Sequence, residues 1–285
     1  MTGAGVLCVG RVYCDLVFSG LQHMPKPGEE IYANGLSFHT GGGAAITAHA
    51  LAALGRSVSL CASLPAAPFS SIVEKTLKPT VDIQHCTVPD TSDPQITVVL
   101  TGQFDRSFVT RRPEQALPAN LTVAFEAYTA AGITKHLHIG ELATLVDYPE
   151  LIPLARAAHW TISLDCAWDE DAIFNKKAGK LIESVDVFLP NESEMQTLKR
   201  TGIDEDCAPL TIVKRAEHGA QAFHQKEIID SAAEHTTCVD TTGAGDSFNA
   251  GFLDAWLRSD LLTDCLKSGN RCGANAVTHP GGIPA

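Results

Sequence analysis

The chain has 285 residues, 45% hydrophobic and 19% charged, which supplies a large core and excludes a disordered, coiled-coil or collagen-like protein. Lys and Arg total 21 against 33 Asp and Glu, a formal charge of −12 with no basic stripe, so nucleic acid is not an expected partner. The 9 cysteines show no Cys-x-x-Cys pair and no zinc-ligand spacing, which predicts free, buried thiols in a reducing compartment.

Val6–Val9, an apolar run closed by Gly10, reads as a buried first strand, and Asp15 follows soon after it. This first run is too short for a signal peptide. Residues 16–40 are rich in turns, with Pro25, Pro27, Gly28 and Gly35. Alternating segments there, such as Glu30–Ala33, predict strands of a sheet outside the main core. Ile31–Gly55 lacks charged residues, but its polar residues and glycines unsuit it to a membrane, so a soluble cytoplasmic protein with no membrane partner is expected. Ala44–Leu54 predicts a helix stopped by Gly55, and Val58–Ala62 a strand. Gln95–Thr101 and Ser107–Thr110, joined through Gly102-Gln103-Phe104-Asp105-Arg106, predict a hairpin in a second outlying sheet.

Beyond residue 115, β-type runs at His136–Ile139, Thr161–Leu164, Val185–Leu189 and Leu210–Val213 alternate with helical segments. Such alternation predicts a mostly parallel sheet with crossover helices. The expected fold is α/β: one domain over 1–285, with a small β appendage drawn from about 12–37 and 93–112.

The most informative stretch is Asp240-Thr241-Thr242-Gly243-Ala244-Gly245-Asp246-Ser247-Phe248. Its glycines permit a turn that other residues resist, and Phe248, Phe252, Ala255 and Trp256 then share one helical face. A glycine turn opening a helix presents free N–H groups and the positive end of the helix dipole to an anion. Asp246 at its lip can accept a proton from a hydroxyl approaching a phosphate. An ordinary loop with Asp246 as helix N-cap has the same local pattern.

This stretch closely resembles the C-terminal signature of the ribokinase-like (PfkB-type) carbohydrate kinase family. The resemblance implies a three-layer α/β core with a small β-sheet lid. It also implies Asp246 as catalytic base and a Gly243, Ala244, Gly245 anion hole for the transferring phosphate. Other segments resemble the same family in the same order. Gly41-Gly42-Gly43-Ala44-Ala45 is similar to its substrate-binding signature, and Asp15 to its sugar-binding acid. Asn191-Glu192-Ser193-Glu194 resembles the Asn-x-x-Glu motif that organises magnesium and phosphates. Val213-Lys214 through His218-Gly219-Ala220 resembles the strand and turn flanking the nucleotide phosphates, and Val277-Thr278 the segment that closes the adenine pocket and borders a monovalent-cation site, with Asn275 nearby as an ATP-binding residue.

Glu194 is a hard oxygen ligand suited to Mg²⁺ through water, while Asn191 and Glu194 equally suit a helix cap with a capping box. Lys214 reads either as a point charge for phosphate or as a cap on a surface strand. Arg106 reads as a substrate contact or as a solvated surface residue. The resemblance implies carbonyls of Asp240 and Thr242 for a monovalent cation such as K⁺. His39, His49, His136 and His138 lack metal-type partners nearby in sequence and read as polar fillers.

The chain departs from the family pattern in three places. Ile46 stands where the family's signature ends in a sugar-binding Asn, Ala216 replaces a Gly, and Cys166-Ala167-Trp168 follows Asp165 in place of Asp-Pro-Asn. The expected activity is ATP-dependent phosphorylation of a hydroxyl on a sugar-like molecule, with ATP, Mg²⁺ and a water-excluding lid that pairs a homodimer. A nucleoside kinase, with Ile46 facing a base, and a catalytically weak sugar or nucleotide sensor on the same fold are the alternatives.

Overall fold

The structure is a computed structural model that describes residues 5–91, 93–102, 106–279 and 281–283. Its central sheet contains β1 (Gly5–Val9), with β2 (Tyr13–Leu21) and β3 (Gly35–Gly41) leaving it for the second sheet and β4 (Val58–Cys61) returning. Next, β5 (Ile96–Gly102) and β6 (Ser107–Arg111) join the second sheet. The remaining strands are β7 (Thr134–Ile139), β8 (Thr161–Asp165), β9 (Val187–Leu189), β10 (Thr211–Lys214), β11 (Ala220–His224) and β12 (Glu227–Ser231).

The eight central strands run in the order β12-β11-β10-β9-β8-β7-β1-β4, parallel from β4 to β10. The edge hairpin β11–β12 is antiparallel. Strands β7, β8 and β9 read as nearly continuous buried runs, the pattern of parallel strands covered on both faces. One face carries the helices Gly43–Ala53, Ala244–Trp256 and Leu262–Ala276 over a core that includes Leu51, Leu60, Leu189, Phe252 and Leu266. The other face packs Phe125, Leu137, Leu142, Trp160 and Phe188 under the helices between β6 and β10. The Gly43–Ala53 helix is buried on most of its circumference, at Ala44, Ala45, Ile46, Thr47, Ala48 and Leu51. That burial explains its apolar composition on every side.

The second sheet, ordered β3-β2-β5-β6, is the lid. Strand alternation gives it two faces: Asp15, His39 and Thr97 share one, while Leu16, Phe18, Leu36, Phe38, Val98 and Val109 share the other. Residues 30–33, read above as a strand, form a loop instead, and the strands fall on either side of it. Their alternation reflects partial solvation near Tyr32, which is 81% exposed, without a partner strand to supply hydrogen bonds. The run from Val185 likewise becomes a strand only at Val187. Residues 103–105 of the hairpin turn lie outside the described residues. The 15-residue helix Leu262–Ala276 escaped the sequence pattern because its interior holds Gly269 and Gly273. These glycines are poor helix formers, kept where a Cβ at Gly269 would lie 2.8 Å from the Phe248 ring. Among the described residues no helix is long and apolar enough to cross a membrane. Cys8, Cys14, Cys61, Cys166 and Cys265 are buried free thiols.

Candidate active site

The signature turn opens the helix Ala244–Trp256 through Gly243, which holds a left-handed φ of 73° that glycine adopts without strain. No side chain caps this helix. The N–H groups of Gly243 and Gly245 take no backbone acceptor among the described residues, whereas that of Ala244 donates to Thr241 O at 3.3 Å. The turn therefore presents unsatisfied donors at the positive end of a 13-residue helix.

Asp246, in the first turn, abuts the N-terminus of the Gly43–Ala53 helix. A Cβ on Gly43 would lie 2.7 Å from its Oδ1, and the Thr47 hydroxyl donates to its backbone oxygen at 3.1 Å. Two helix starts thus converge on one carboxylate. Burial pushes its pKa up to about 7, helped by Asp165 and opposed by Lys214.

Lys214 ends β10 and points inward, so it is not a surface cap. Its Nζ lies 2.9 Å from Asp165 Oδ1 and 3.1 Å from Asn249 Oδ1, and Asn249 Nδ2 donates to Asp165 Oδ2 at 2.6 Å. A Cβ on Gly245 would sit 3.5 Å from the same ammonium, which places this charge beside the glycine turn. Asp165 and Asn249, at 5% and 0% exposed, were not foreseen as site residues. The available signals were an acid at the C-terminal end of a buried strand, and a polar residue three positions after Asp246 on a helix face otherwise apolar.

Asn191 and Glu194 form the capping box in full: Glu194 N–H donates to Asn191 Oδ1 at 2.9 Å and Asn191 N–H to Glu194 Oε2 at 2.8 Å. The cap also serves the site, because it holds a buried carboxylate close enough to feel Asp165, Lys214 and Asp246. Burial and Asp165 push Glu194 up to about 7.

On the lid, Asp15 faces the cleft against the end of β3. A Cβ on Gly41 would meet its Oδ1 at 2.2 Å, so only glycine leaves this carboxylate its position. Burial raises it to about 6, against a hydrogen bond from Thr97. Gly42, at φ 97°, turns β3 into the following helix with its Cα hydrogen where a Cβ would strike Arg11 O at 2.2 Å. Arg11, a further residue that sequence reading missed, pairs with Glu141 at 2.7 Å and Asp147 at 2.5 Å beneath this corner.

Arg106 crosses from the lid to the signature turn, where it hydrogen-bonds Asp240 at 2.7 Å and also Thr241 and Thr242. Asp240 Oδ1 accepts from Thr242 N–H at 2.9 Å, and Asp240 Oδ2 accepts from Gly281 N–H at 2.8 Å. Of the residues expected to border a nucleotide, Gly219 is buried with φ 81°, and a Cβ there would meet Ser231 O at 2.0 Å. Asn275 lies exposed near the end of the Leu262–Ala276 helix. Ile46, at 4% exposed, packs beneath Gly243 and Gly282.

His136 and His138 fill the sheet interior. His136 lies 2.8 Å from both Thr161 and Ser163 hydroxyls, and His138 lies 2.9 Å from Ser163. Burial lowers the pKa of both, that of His138 to about 4. Among the described residues no group of three or more His, Cys, Asp or Glu can enclose a metal ion. Mg²⁺ would be held here mainly by phosphate oxygens and water, with Glu194 the residue expected to reach it through water. The carboxylates of Asp165, Glu194 and Asp246 gather around the single ammonium of Lys214.

The sequence profile of the pfkB family carbohydrate kinases matches residues 4–285. The chain belongs to this family. It is similar to the fructoselysine 6-kinase of Escherichia coli K12, 36% identical over 92 residues, 32% of this chain and 35% of that one. It is also similar to the 2-dehydro-3-deoxygluconokinase of Haemophilus influenzae, 53% identical over 142 residues, 48% of this chain and 37% of that one. These matches thus span little more than a third of either relative. The fold is that of Arabidopsis thaliana ribokinase, whose structure with ribose and ATP superposes with a TM-score of 0.81 at 20% identity, covering 100% of this chain and 96% of that one.

Proposed function

We propose that the protein transfers the γ-phosphoryl group of ATP to a hydroxyl of a sugar or sugar-like small molecule. One observation carries this reading: a carboxylate with its pKa raised to about 7 stands at the mouth of an uncapped glycine turn. A base poised near neutrality beside a phosphate-sized set of N–H donors is what hydroxyl phosphorylation requires.

In this reading Asp15 holds and orients the acceptor, and Asp246 takes its hydroxyl proton. The acceptor oxygen bonds to the γ-phosphorus as the bond from that phosphorus to the β–γ bridging oxygen breaks, and ADP leaves with that electron pair. The Gly243 and Gly245 amides and Lys214 receive the charge on the transferring group, whereas the Ala244 amide is held by Thr241 O. Asn191 holds Glu194 in place, while Gly219, Thr242 and Asn275 border the nucleotide. Mg²⁺, when bound with ATP, neutralises phosphate charge. The lid closes over the cleft and keeps water from competing as acceptor.

Sugar is favoured over nucleoside because Ile46, the apolar residue that would face a base, is occupied beneath Gly243 and Gly282. A homodimer through the lid is supported by the lid's outer face, where Leu36, Phe38 and Val109 are 51%, 45% and 67% exposed. A second copy would cover these side chains.

The test is ADP release from Mg-ATP against fructoselysine, 2-dehydro-3-deoxygluconate, pentoses, hexoses and nucleosides, beside Asp246→Asn. Turnover on one sugar, lost at least about a hundredfold in the variant, is the expected result. Full turnover by Asp246→Asn refutes the assigned base. ATP binding without turnover of any acceptor favours the sensor.

A further inference from the structure

We infer that the Arg106 guanidinium is the resident cation of the signature turn, holding the place a monovalent metal ion would take there and tying lid closure to the order of the phosphoryl-binding loop. A cation is drawn to such a turn by the Asp240 carboxylate, and here that charge is already met. Asp240 Oδ1 accepts from Arg106 Nη1 at 2.7 Å and from the Thr242 hydroxyl at 2.7 Å and amide at 2.9 Å. Oδ2 accepts from Gly281 N–H at 2.8 Å. Both carboxylate oxygens therefore face hydrogen-bond donors, one of them a full positive charge.

The second guanidinium nitrogen binds the Thr241 hydroxyl, and the Phe108 ring backs the guanidinium at 5.5 Å from its centroid. The ion pair is partly shielded, with side-chain exposures of 23% for Arg106 and 17% for Asp240. A potassium ion beside Asp240 would share its carboxylate with a guanidinium and be repelled by it at close range. The Asp240 carboxylate, the charge that would draw a monovalent metal, is already matched by the arginine.

The placement has a second consequence. Arg106 immediately precedes β6 of the lid, whereas Asp240 and Thr242 lead directly into Gly243 and the anion-binding turn. A metal ion would order the turn whatever the position of the lid. An arginine carried on the lid orders it only when the lid is down, so the phosphoryl site completes itself as the cleft closes. Arg106 is in this sense a positioning residue, acting through the turn.

The inference rests on the kinase reading only for its nucleotide arm. The experiment uses the full chain in KCl and in tetramethylammonium chloride at equal ionic strength. Thermal unfolding of the nucleotide-free protein is followed first, then Mg-ATP affinity by calorimetry. The wild-type protein is expected to show the same Tm and the same affinity in both salts. Arg106→Met, which keeps the apolar stem and opens the carboxylate, should bind Mg-ATP at least about fivefold more weakly in tetramethylammonium and recover in KCl. Arg106→Lys should remain indifferent to K⁺.

A wild-type Tm or affinity that rises with K⁺ overturns the inference. So does an Arg106→Met protein that matches wild type in both salts. If Arg106→Met does not fold, wild type and Arg106→Lys still decide the matter. Absence of Mg-ATP binding in either salt would sink the kinase reading, while the Tm comparison on nucleotide-free protein would still test the resident cation.

Discussion

The ring formed by Lys214, Asp165 and Asn249 makes a prediction whose asymmetry comes from its surroundings. Lys214→Met leaves Asp165, at 7% side-chain exposure, without its cation and beside Glu194 and Asp246, which both sense Asp165 electrostatically. Removing one partner of a buried pair costs about 3–5 kcal/mol. For a domain of this size that is a fall in Tm of order 10 °C. Asp165→Asn should cost less, about 1–2 kcal/mol, because the ammonium keeps Glu194 and Asp246 as electrostatic partners and the new amide can still bond Asn249.

The double variant should fall short of the sum of the two by at least about 1 kcal/mol, since each change removes the same contact. The assay is thermal and urea unfolding of the four proteins at one pH. A Lys214→Met cost equal to or below that of Asp165→Asn, or strict additivity, would refute this account of the cluster. Lys214 also holds Asp246 and Glu194 down against burial, so any residual activity of Lys214→Met should rise only at more alkaline pH than wild type.

Other expectations follow from the same carboxylates. Asp246 and Glu194 are raised to about 7 and Asp15 to about 6, above their ordinary values near 4. Raised acids bind protons more tightly folded than unfolded, so their contribution to stability is full below about pH 4 and is lost as pH rises toward 7. Asp246→Asn should therefore melt higher than wild type at pH 8 and no higher at pH 4, by differential scanning calorimetry; the reverse order would contradict the burial argument. Wild-type kcat/KM should climb through pH 7 as Asp246 ionises, and a flat profile between pH 6 and 8 would remove it as base. Gly41→Ala drives a methyl into the Asp15 carboxylate and should lower kcat/KM for the acceptor about a hundredfold, with unchanged Mg-ATP affinity by calorimetry. Leu36→Lys with Val109→Lys should turn a sedimenting dimer into monomers, whereas an unchanged sedimentation coefficient would place any interface elsewhere.

Much of this molecule follows from local chemistry along the chain. The buried parallel strands show as short apolar runs, the glycine stop at Gly55 ends a helix, and the uninterrupted stretch from Asp240 to Phe248 shows a glycine turn opening a helix with an acid at its lip. Asn191 and Glu194 were legible as a capping box because a cap is a contact over three residues. These features depend on backbone geometry and near neighbours, and so are written in consecutive positions.

Tertiary structure alone decided what those residues meet. Lys214 was open between a surface and a phosphate because a strand's last residue shows no direction by itself; β8 and the Ala244–Trp256 helix turned it inward onto Asp165 and Asn249. Glu30–Ala33 alternates like a strand, yet strands exist only where a neighbour supplies hydrogen bonds, and the partners of the lid lie at 13–21 and 35–41. Arg106 reaches Asp240 across 134 positions, and the raised carboxylates arise from desolvation by segments far apart in sequence. Burial and charge coupling are properties of assembled volume, and a linear order of residues does not contain them.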